Sequence, residues 1–200
     1  MSKILFGWSR IYHDIKLERK ERILEKKTDR GSNKWKTALL FLVLSAVLIA
    51  LDQWTKLLAV SHLEGKPAWP LISGVFEFSY TVNYGAAFGI LQNRQLLFYI
   101  TTPVILAAVF YLYLQIPASK RYLPMKWVGL LLFSGAAGNL IDRAAQGYVV
   151  DFLYFKLIDF PVFNVADCYV TVATAALFVL ILFVYKEDEL GFFKVWEREK

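Results

Sequence analysis

Asp151 and Asp167 lie sixteen residues apart in a chain of 200, and their surroundings differ in a way that suits water-activating acid–base chemistry. Asp151 stands among Tyr148, Phe152, Tyr154 and Phe155, so burial beside these rings would raise its pKa. Asp167 falls in the opening turn of an apolar run, where the positive end of a helix dipole favours the ionised form. Two carboxylates held at different ionisation can divide the work of hydrolysis. One takes a proton from water while the other, protonated, polarises the scissile carbonyl. Other hydrolytic machinery is poorly represented. His13 and His62 are remote from each other and from Cys168, and a single cysteine excludes both an intramolecular disulfide and a multi-thiolate metal site. Cys168 reads as a core thiol rather than a nucleophile. Taken alone, the two aspartates read by default as a solvated loop residue and a helix cap.

The elements that must carry them change that balance. The chain is 57% hydrophobic, against about 45–50% for an ordinary soluble domain. Four apolar stretches are long enough, or nearly so, to cross about 30 Å of hydrocarbon at about 1.5 Å per residue. They run from Thr37 to near Val60, from Leu96 to Leu114, from Trp127 to near Ile141, and from near Val165 to Tyr185. The net charge of +6 is concentrated at one end: residues 1–36 hold eleven Lys/Arg against five Asp/Glu, which accounts for all of it. A basic block directly before an apolar run is a cytoplasmic flank rather than a nucleic-acid patch. It is too long, and lacks the small-residue cleavage site, for a signal peptide. Lys120, Arg121 and Lys126 put the second inter-span loop on the same side, whereas loops 61–95 and 144–164 are poor in Lys and Arg and face outward. Both termini are therefore expected in the cytoplasm.

With that orientation the polar residues gather at one depth, near the outer boundary. Asp52 and Lys56 fall in the outer part of span one, Asn83 in the loop after it, and Asn139, Asp142 and Arg143 at the outer end of span three. Asn164 and Asp167 open span four, and Asp151 lies just before it. A charge at a helix centre costs about 2.5–3.5 kcal/mol on insertion scales, so such a gathering calls for a function. Asp52/Lys56 at i, i+4 and Asn139/Asp142 at i, i+3 share helix faces. Asn164 is placed to cap the fourth helix and turn its amide toward the site. Asp142 and Arg143 read as an ion pair at a helix end, Asp52 and Lys56 as orienting groups, and Gly135–Gly138 as a close-packing surface. The alternating segments Phe76–Val82 and Tyr148–Phe155 predict short strands on the outer face. Ile4, Leu5, Trp8, Ile11, Tyr12 and Ile15 share one helical face, which fits an interfacial helix on the cytoplasmic leaflet as well as a solvated basic arm.

Five blocks in order resemble the signatures of the lipoprotein signal peptidase (signal peptidase II) family: Asp52-Gln-Trp-Thr-Lys56, Asn83-Tyr-Gly-Ala-Ala-Phe-Gly89, Gly138-Asn-Leu-Ile-Asp-Arg143, Gly147-Tyr-Val-Val-Asp-Phe152 and Phe163-Asn-Val-Ala-Asp167. The resemblance spans roughly Lys36–Tyr185 and leaves out the N-terminal extension and the tail. It implies a polytopic all-α membrane protein of four transmembrane helices with a small extracytoplasmic β cradle. Residues 1–35 would be a basic extension, 36–185 the peptidase and 186–200 a cytoplasmic tail. The implied activity is intramembrane aspartyl proteolysis of prolipoproteins, cutting before a cysteine that bears a diacylglyceryl group, in the bacterial inner (cytoplasmic) membrane. Asp151 and Asp167 match the catalytic pair, and Asp52, Lys56, Asn83, Gly85, Asn139, Asp142, Arg143 and Asn164 match supporting or substrate-binding positions. No metal or organic cofactor is implied. The partners implied are prolipoproteins and membrane lipid, not nucleic acid. Cys168-Tyr-Val170 departs from the smaller residues usual after the second aspartate, which points to altered packing there.

A small transporter or ion-pathway protein is the competing class, since an outer polar cluster also suits an ion route. Such a route would need polar side chains toward the cytoplasmic ends as well. Thr101, Thr102, Gln115 and Ser134 supply few.

Overall fold

A computed structural model describes residues 34–85 and 95–193. Residues 1–41 and 42–200 form two compact units; of the first, only 34–41 are described, as opening turns of a helix. The expected interfacial helix in the extension, the 86–89 half of the glycine-rich block and tail residues 194–200 lie outside the described residues. Four long helices and three strands follow: α1 (Lys34–Leu63), β1 (Trp69–Ile72), β2 (Phe76–Asn83), α2 (Gln95–Gln115), α3 (Leu123–Gln146), β3 (Val149–Tyr154) and α4 (Val165–Val179). A π-helical turn, Leu180–Val184, continues α4.

Helices α1, α2 and α4 with its π turn are long and apolar enough to cross a membrane. Their outer faces carry large exposed apolar side chains, among them Leu57 on α1, Val104 on α2 and Phe178 on α4. Such surfaces need hydrocarbon rather than water around them. α3 is less apolar. Its helix does not stop near Ile141 as the hydropathy pattern predicts but runs past Asp142 and Arg143 to Gln146, because both charges find partners on other elements. It ends at Gly147, whose φ of +84° and N–H bond to the Arg143 carbonyl form a left-handed cap.

The sheet is antiparallel, ordered β1-β2-β3. The two alternating segments form β2 and β3, as expected. β1 is a third strand that the pattern does not mark, because Trp-Pro-Leu-Ile is short and holds Pro70. It sits at the edge, where a residue without an N–H is tolerated. Alternation along β3 decides what faces where. Val150 and Phe152 pack with Ala59 and Leu63 of α1, which sends Val149 and Asp151 to the opposite face. Thr81 is the register partner of Asp151 across the β2–β3 ladder.

α3 and α4 pack through the small-residue stretch. A Cβ built on Gly135 would stand 2.5 Å from the Ala166 carbonyl oxygen and 2.7 Å from Val170 Cγ2; on Gly129 it would meet only the Tyr113 side chain, at 3.2 Å. Backbone cannot yield as a ring can. We expect Gly135→Ala to destabilise the protein by about 1–3 kcal/mol, as overpacking does, and Gly129→Ala to cost clearly less. Thermal midpoints of the two variants in one detergent make the comparison.

Candidate active site

The end of β3 and the start of α4 are brought together by a short return. Phe152 and Leu153 N–H donate to the Phe163 carbonyl at 2.9 and 2.8 Å, and Phe163 N–H donates to the Leu153 carbonyl at 3.0 Å. Asn164 is thereby held beside Asp151. It is also the N-cap of α4: its Oδ1 accepts the Asp167 N–H at 3.0 Å, and its own N–H donates to Asp167 Oδ2 at 3.2 Å. This is a capping box closed by an aspartate. The Asn164 Nδ2 donates to Asp151 Oδ1 at 2.6 Å. One fully buried asparagine therefore bonds both aspartates.

The other carboxylate oxygens are held as firmly. Asn83 Nδ2 donates to Asp151 Oδ2 at 3.0 Å, and Asn139 Nδ2 to Asp167 Oδ1 at 2.8 Å. Both aspartates, with Asn83, Asn139 and Arg143, line a cavity of about 740 Å³. Its further wall is apolar, including Phe155, Ile158, Phe160 and Phe163 from the β3–α4 connection and Val170 and Val172 from α4. Burial pushes the Asp151 carboxyl up to about 7, and the Asp167 charge adds to the rise. The amides of Asn83 and Asn164 and the Lys56 charge hold it back. The expected desolvation of Asp151 is thus present. Two carboxylates tied through one residue at the edge of a cavity make a candidate for acid–base chemistry.

Behind this pair lies a layer that does not line the cavity. Lys56 Nζ bonds Asp52 Oδ2 and Asp142 Oδ2, each at 2.9 Å, and donates to Asn139 Oδ1 at 3.0 Å. Three ammonium N–H groups meet three acceptors. Asp52, fully buried, also accepts the Ala166 N–H at 2.8 Å, which satisfies a second free amide at the start of α4. A Cβ on Gly138 would stand 2.6 Å from Asp52 Oδ2, so that glycine makes room for the carboxylate. Asp142 accepts the Val150 N–H at 3.3 Å and fixes the start of β3. Arg143 reaches instead to the Gly85 carbonyl at 2.6 Å, and Gly85 N–H donates to Asn83 Oδ1 at 2.9 Å.

All ten residues singled out in the sequence thus belong to one connected network. The expected Asp142–Arg143 ion pair is corrected: Asp142 pairs with Lys56, because consecutive helix positions point away from each other. Gln53 is a member that the sequence reading missed. Its Nε2 donates to Asp142 Oδ1 at 2.7 Å and stands 3.2 Å from both Asp52 Oδ2 and the Gly138 carbonyl; the available signal was its i, i+3 spacing from Lys56. Among the described residues no group of three or more His, Cys, Asp or Glu could hold a metal ion.

Comparison with known proteins shows the family. Residues 44–183 match the family model described as signal peptidase (SPase) II. The lipoprotein signal peptidase of Streptococcus thermophilus is 43% identical over 145 residues, covering 70% of this chain and 89% of its own length. That of Brevibacillus brevis is 43% identical over 138 residues, covering 68% and 91%. Among solved structures, a bacterial membrane enzyme determined by the in meso method at 2.3 Å resolution aligns with a TM-score of 0.65 and 31% identity over 74% of this chain and 92% of that one. A second, at 1.9 Å, gives 0.62 and 30% over 73% and 94%. The chain belongs to the signal peptidase II family, and is a bacterial membrane protease of aspartic type that removes signal peptides from prolipoproteins.

Proposed function

We propose that Asp151 and Asp167 are the catalytic dyad, and that the bond cut lies immediately before a cysteine bearing a diacylglyceryl group. The observation that carries this is Asn164, which donates to Asp151 through its side chain and to Asp167 through its backbone and so holds the two carboxylates in one frame. Asp52, Lys56, Asn83, Gly85, Asn139, Asp142, Arg143 and Asn164 are its supports. α3 also crosses the membrane, as the third of four spans. Both termini are cytoplasmic, the dyad faces the extracytoplasmic side of the inner (cytoplasmic) membrane, residues 1–35 are a basic extension and 186–200 a cytoplasmic tail. The apolar cavity wall suits a lipid-bearing residue that arrives laterally from the bilayer.

The network holds four aspartates against Lys56 and Arg143, an excess of two negative charges if all are ionised. One proton shared by the dyad halves that excess, as like charges at close range require. The ionised carboxylate takes a proton from water as its oxygen attacks the scissile carbonyl carbon. The protonated carboxyl donates to the carbonyl oxygen. Collapse of the tetrahedral intermediate breaks the C–N bond: the proton taken from water passes to the leaving amine, and the carbonyl oxygen returns its proton to the carboxylate that gave it. With Asp151 at about 7, the pair loses its shared proton as pH rises through that value and takes up a second at low pH. We expect kcat/KM to be bell-shaped in pH, with its alkaline limb near 7; a rate still rising well into the alkaline range would contradict a shared proton.

The functional test is cleavage by the purified protein of a matched pair of prolipoproteins, with and without the diacylglyceryl group, read by product mass. We expect a lipidated mature product with cysteine at its N-terminus, and little cleavage of the unmodified form. Equal cleavage of both, or cutting elsewhere, would refute the substrate assignment. Metal chelators are expected to leave the rate unchanged.

A further inference from the structure

Among the described residues α2 lines none of the cavity, yet its first turns are fastened to the end of α3 at three points. Gln95, Phe98 and Tyr99, spaced i, i+3 and i+4, share a helix face. Gln95 Nε2 donates to the Gly147 carbonyl, and the Tyr99 hydroxyl donates to the Arg143 carbonyl at 2.6 Å. Both act on backbone at the C-terminus of α3: the Arg143 carbonyl, which already accepts the Gly147 N–H at 2.9 Å, takes the hydroxyl as a second donor. The third contact is different in kind. Arg143 Cζ stands 4.4 Å over the centroid of the Phe98 ring, an attraction that strengthens where water is excluded.

What Arg143 does next makes this contact consequential. Its NH2 donates to the Gly85 carbonyl at 2.6 Å, Gly85 N–H donates to Asn83 Oδ1 at 2.9 Å, and Asn83 Nδ2 donates to Asp151 Oδ2 at 3.0 Å. A continuous run of contacts leads from a ring on α2 to a carboxylate on β3. We propose that Phe98 is a positioning residue of the reaction: by seating the Arg143 guanidinium it fixes Gly85 and Asn83, and through them the carboxylate of Asp151. Gln95 and Tyr99 hold the Arg143 main chain so that the guanidinium meets the ring. α2 thus acts on the chemistry without touching the cavity.

This inference rests on the assignment of Asp151 to the dyad, and the test separates the two. Cleavage of a diacylglyceryl-modified prolipoprotein is measured across pH for wild type, Phe98→Leu, Phe98→Tyr and Tyr99→Phe, with a thermal midpoint for each. Phe98→Leu keeps bulk and apolarity but removes the π face. It should lower kcat by roughly tenfold to a hundredfold, the order expected of misplacement from a distance, with KM little changed. It should also move the alkaline limb to higher pH, because a carboxylate that loses a donor holds its proton more tightly. Phe98→Tyr retains the ring and should restore both readouts. Tyr99→Phe should show the same limb displacement in smaller measure, and carries the test if Phe98→Leu does not fold. Unaltered limbs in Phe98→Leu and Tyr99→Phe, or equal impairment of the Leu and Tyr variants, would overturn the proposal and leave the dyad standing. A wild type without cleavage activity would overturn both.

Discussion

Lys56→Met should be among the most destabilising single substitutions in the protein, at about 3–5 kcal/mol, the range for breaking a buried ion pair from one side. The reason is geometric. Lys56 Nζ bonds Asp52 and Asp142 at 2.9 Å each, and all three side chains are at most 4% exposed. Methionine fills most of the volume but leaves two buried carboxylates around Gln53 with no cation between them. The damage extends to the site, because Asp52 also holds the Ala166 N–H at the start of α4 and Asp142 the Val150 N–H at the start of β3. Cleavage should fall together with stability. Adding Asp142→Asn removes one of the stranded charges, so the double variant should be more stable than Lys56→Met alone. Denaturant or thermal unfolding of wild type, both single variants and the double, all in one detergent, gives this coupling. Additive losses would show that Asp142 and Lys56 are not interacting as described.

Much of this network could be read from the sequence because its links are local or periodic. Asn164 before an apolar run announces a cap, and the structure adds the capping box with Asp167. Asp52 and Lys56, one helical turn apart, announce a shared face and form an ion pair. The alternation in Phe76–Val82 and Tyr148–Phe155 announces the two strands that bring Asn83 and Asp151 toward each other. What stayed hidden is set by distant parts of the chain. Nothing near Asp142 says that its partner is Lys56, 86 positions earlier, and the adjacent Arg143 is the misleading local choice. Nothing near Arg143 points to Phe98. β1 is short and contains a proline, so its pairing with β2 gives it strand structure that its own pattern does not announce. α3 is longer than its hydropathy suggests because hydropathy counts Asp142 and Arg143 against a helix whose neighbours satisfy them.

Asp151→Asn and Asp167→Asn, made separately, should each abolish prolipoprotein cleavage while the protein remains folded and membrane-inserted. The losses should be large, on the order of 10³-fold or more, since members of a catalytic unit are not replaceable by one another. Folding should survive because an amide keeps one acceptor oxygen. In Asp151→Asn that oxygen can still accept from Asn164 Nδ2, while the new amide N–H₂ requires Asn83 to turn its own amide over. In Asp167→Asn the remaining oxygen can likewise accept from Asn139 Nδ2, and only the long 3.2 Å bond from the Asn164 N–H is given up. For Asp151 the linkage has a definite sign. A carboxyl with a folded pKa of about 7 against about 3.9 unfolded binds more protons in the folded state between those values, so wild-type stability falls as pH rises through that window. The uncharged amide of Asp151→Asn escapes this loss. Relative to wild type, that variant should therefore gain stability on going from about pH 4 to about pH 8, even as its activity is gone.

The decisive measurement is single-turnover cleavage, with enzyme in excess over a diacylglyceryl-modified prolipoprotein, comparing wild type with Asp151→Asn and Asp167→Asn at equal amounts of folded protein. Excess enzyme removes product release from the comparison, so the chemical step alone is read. A dyad predicts a burst of cleaved product from wild type and none from either variant. Cleavage within about tenfold of wild type by either variant would take that aspartate out of the reaction and contradict the account.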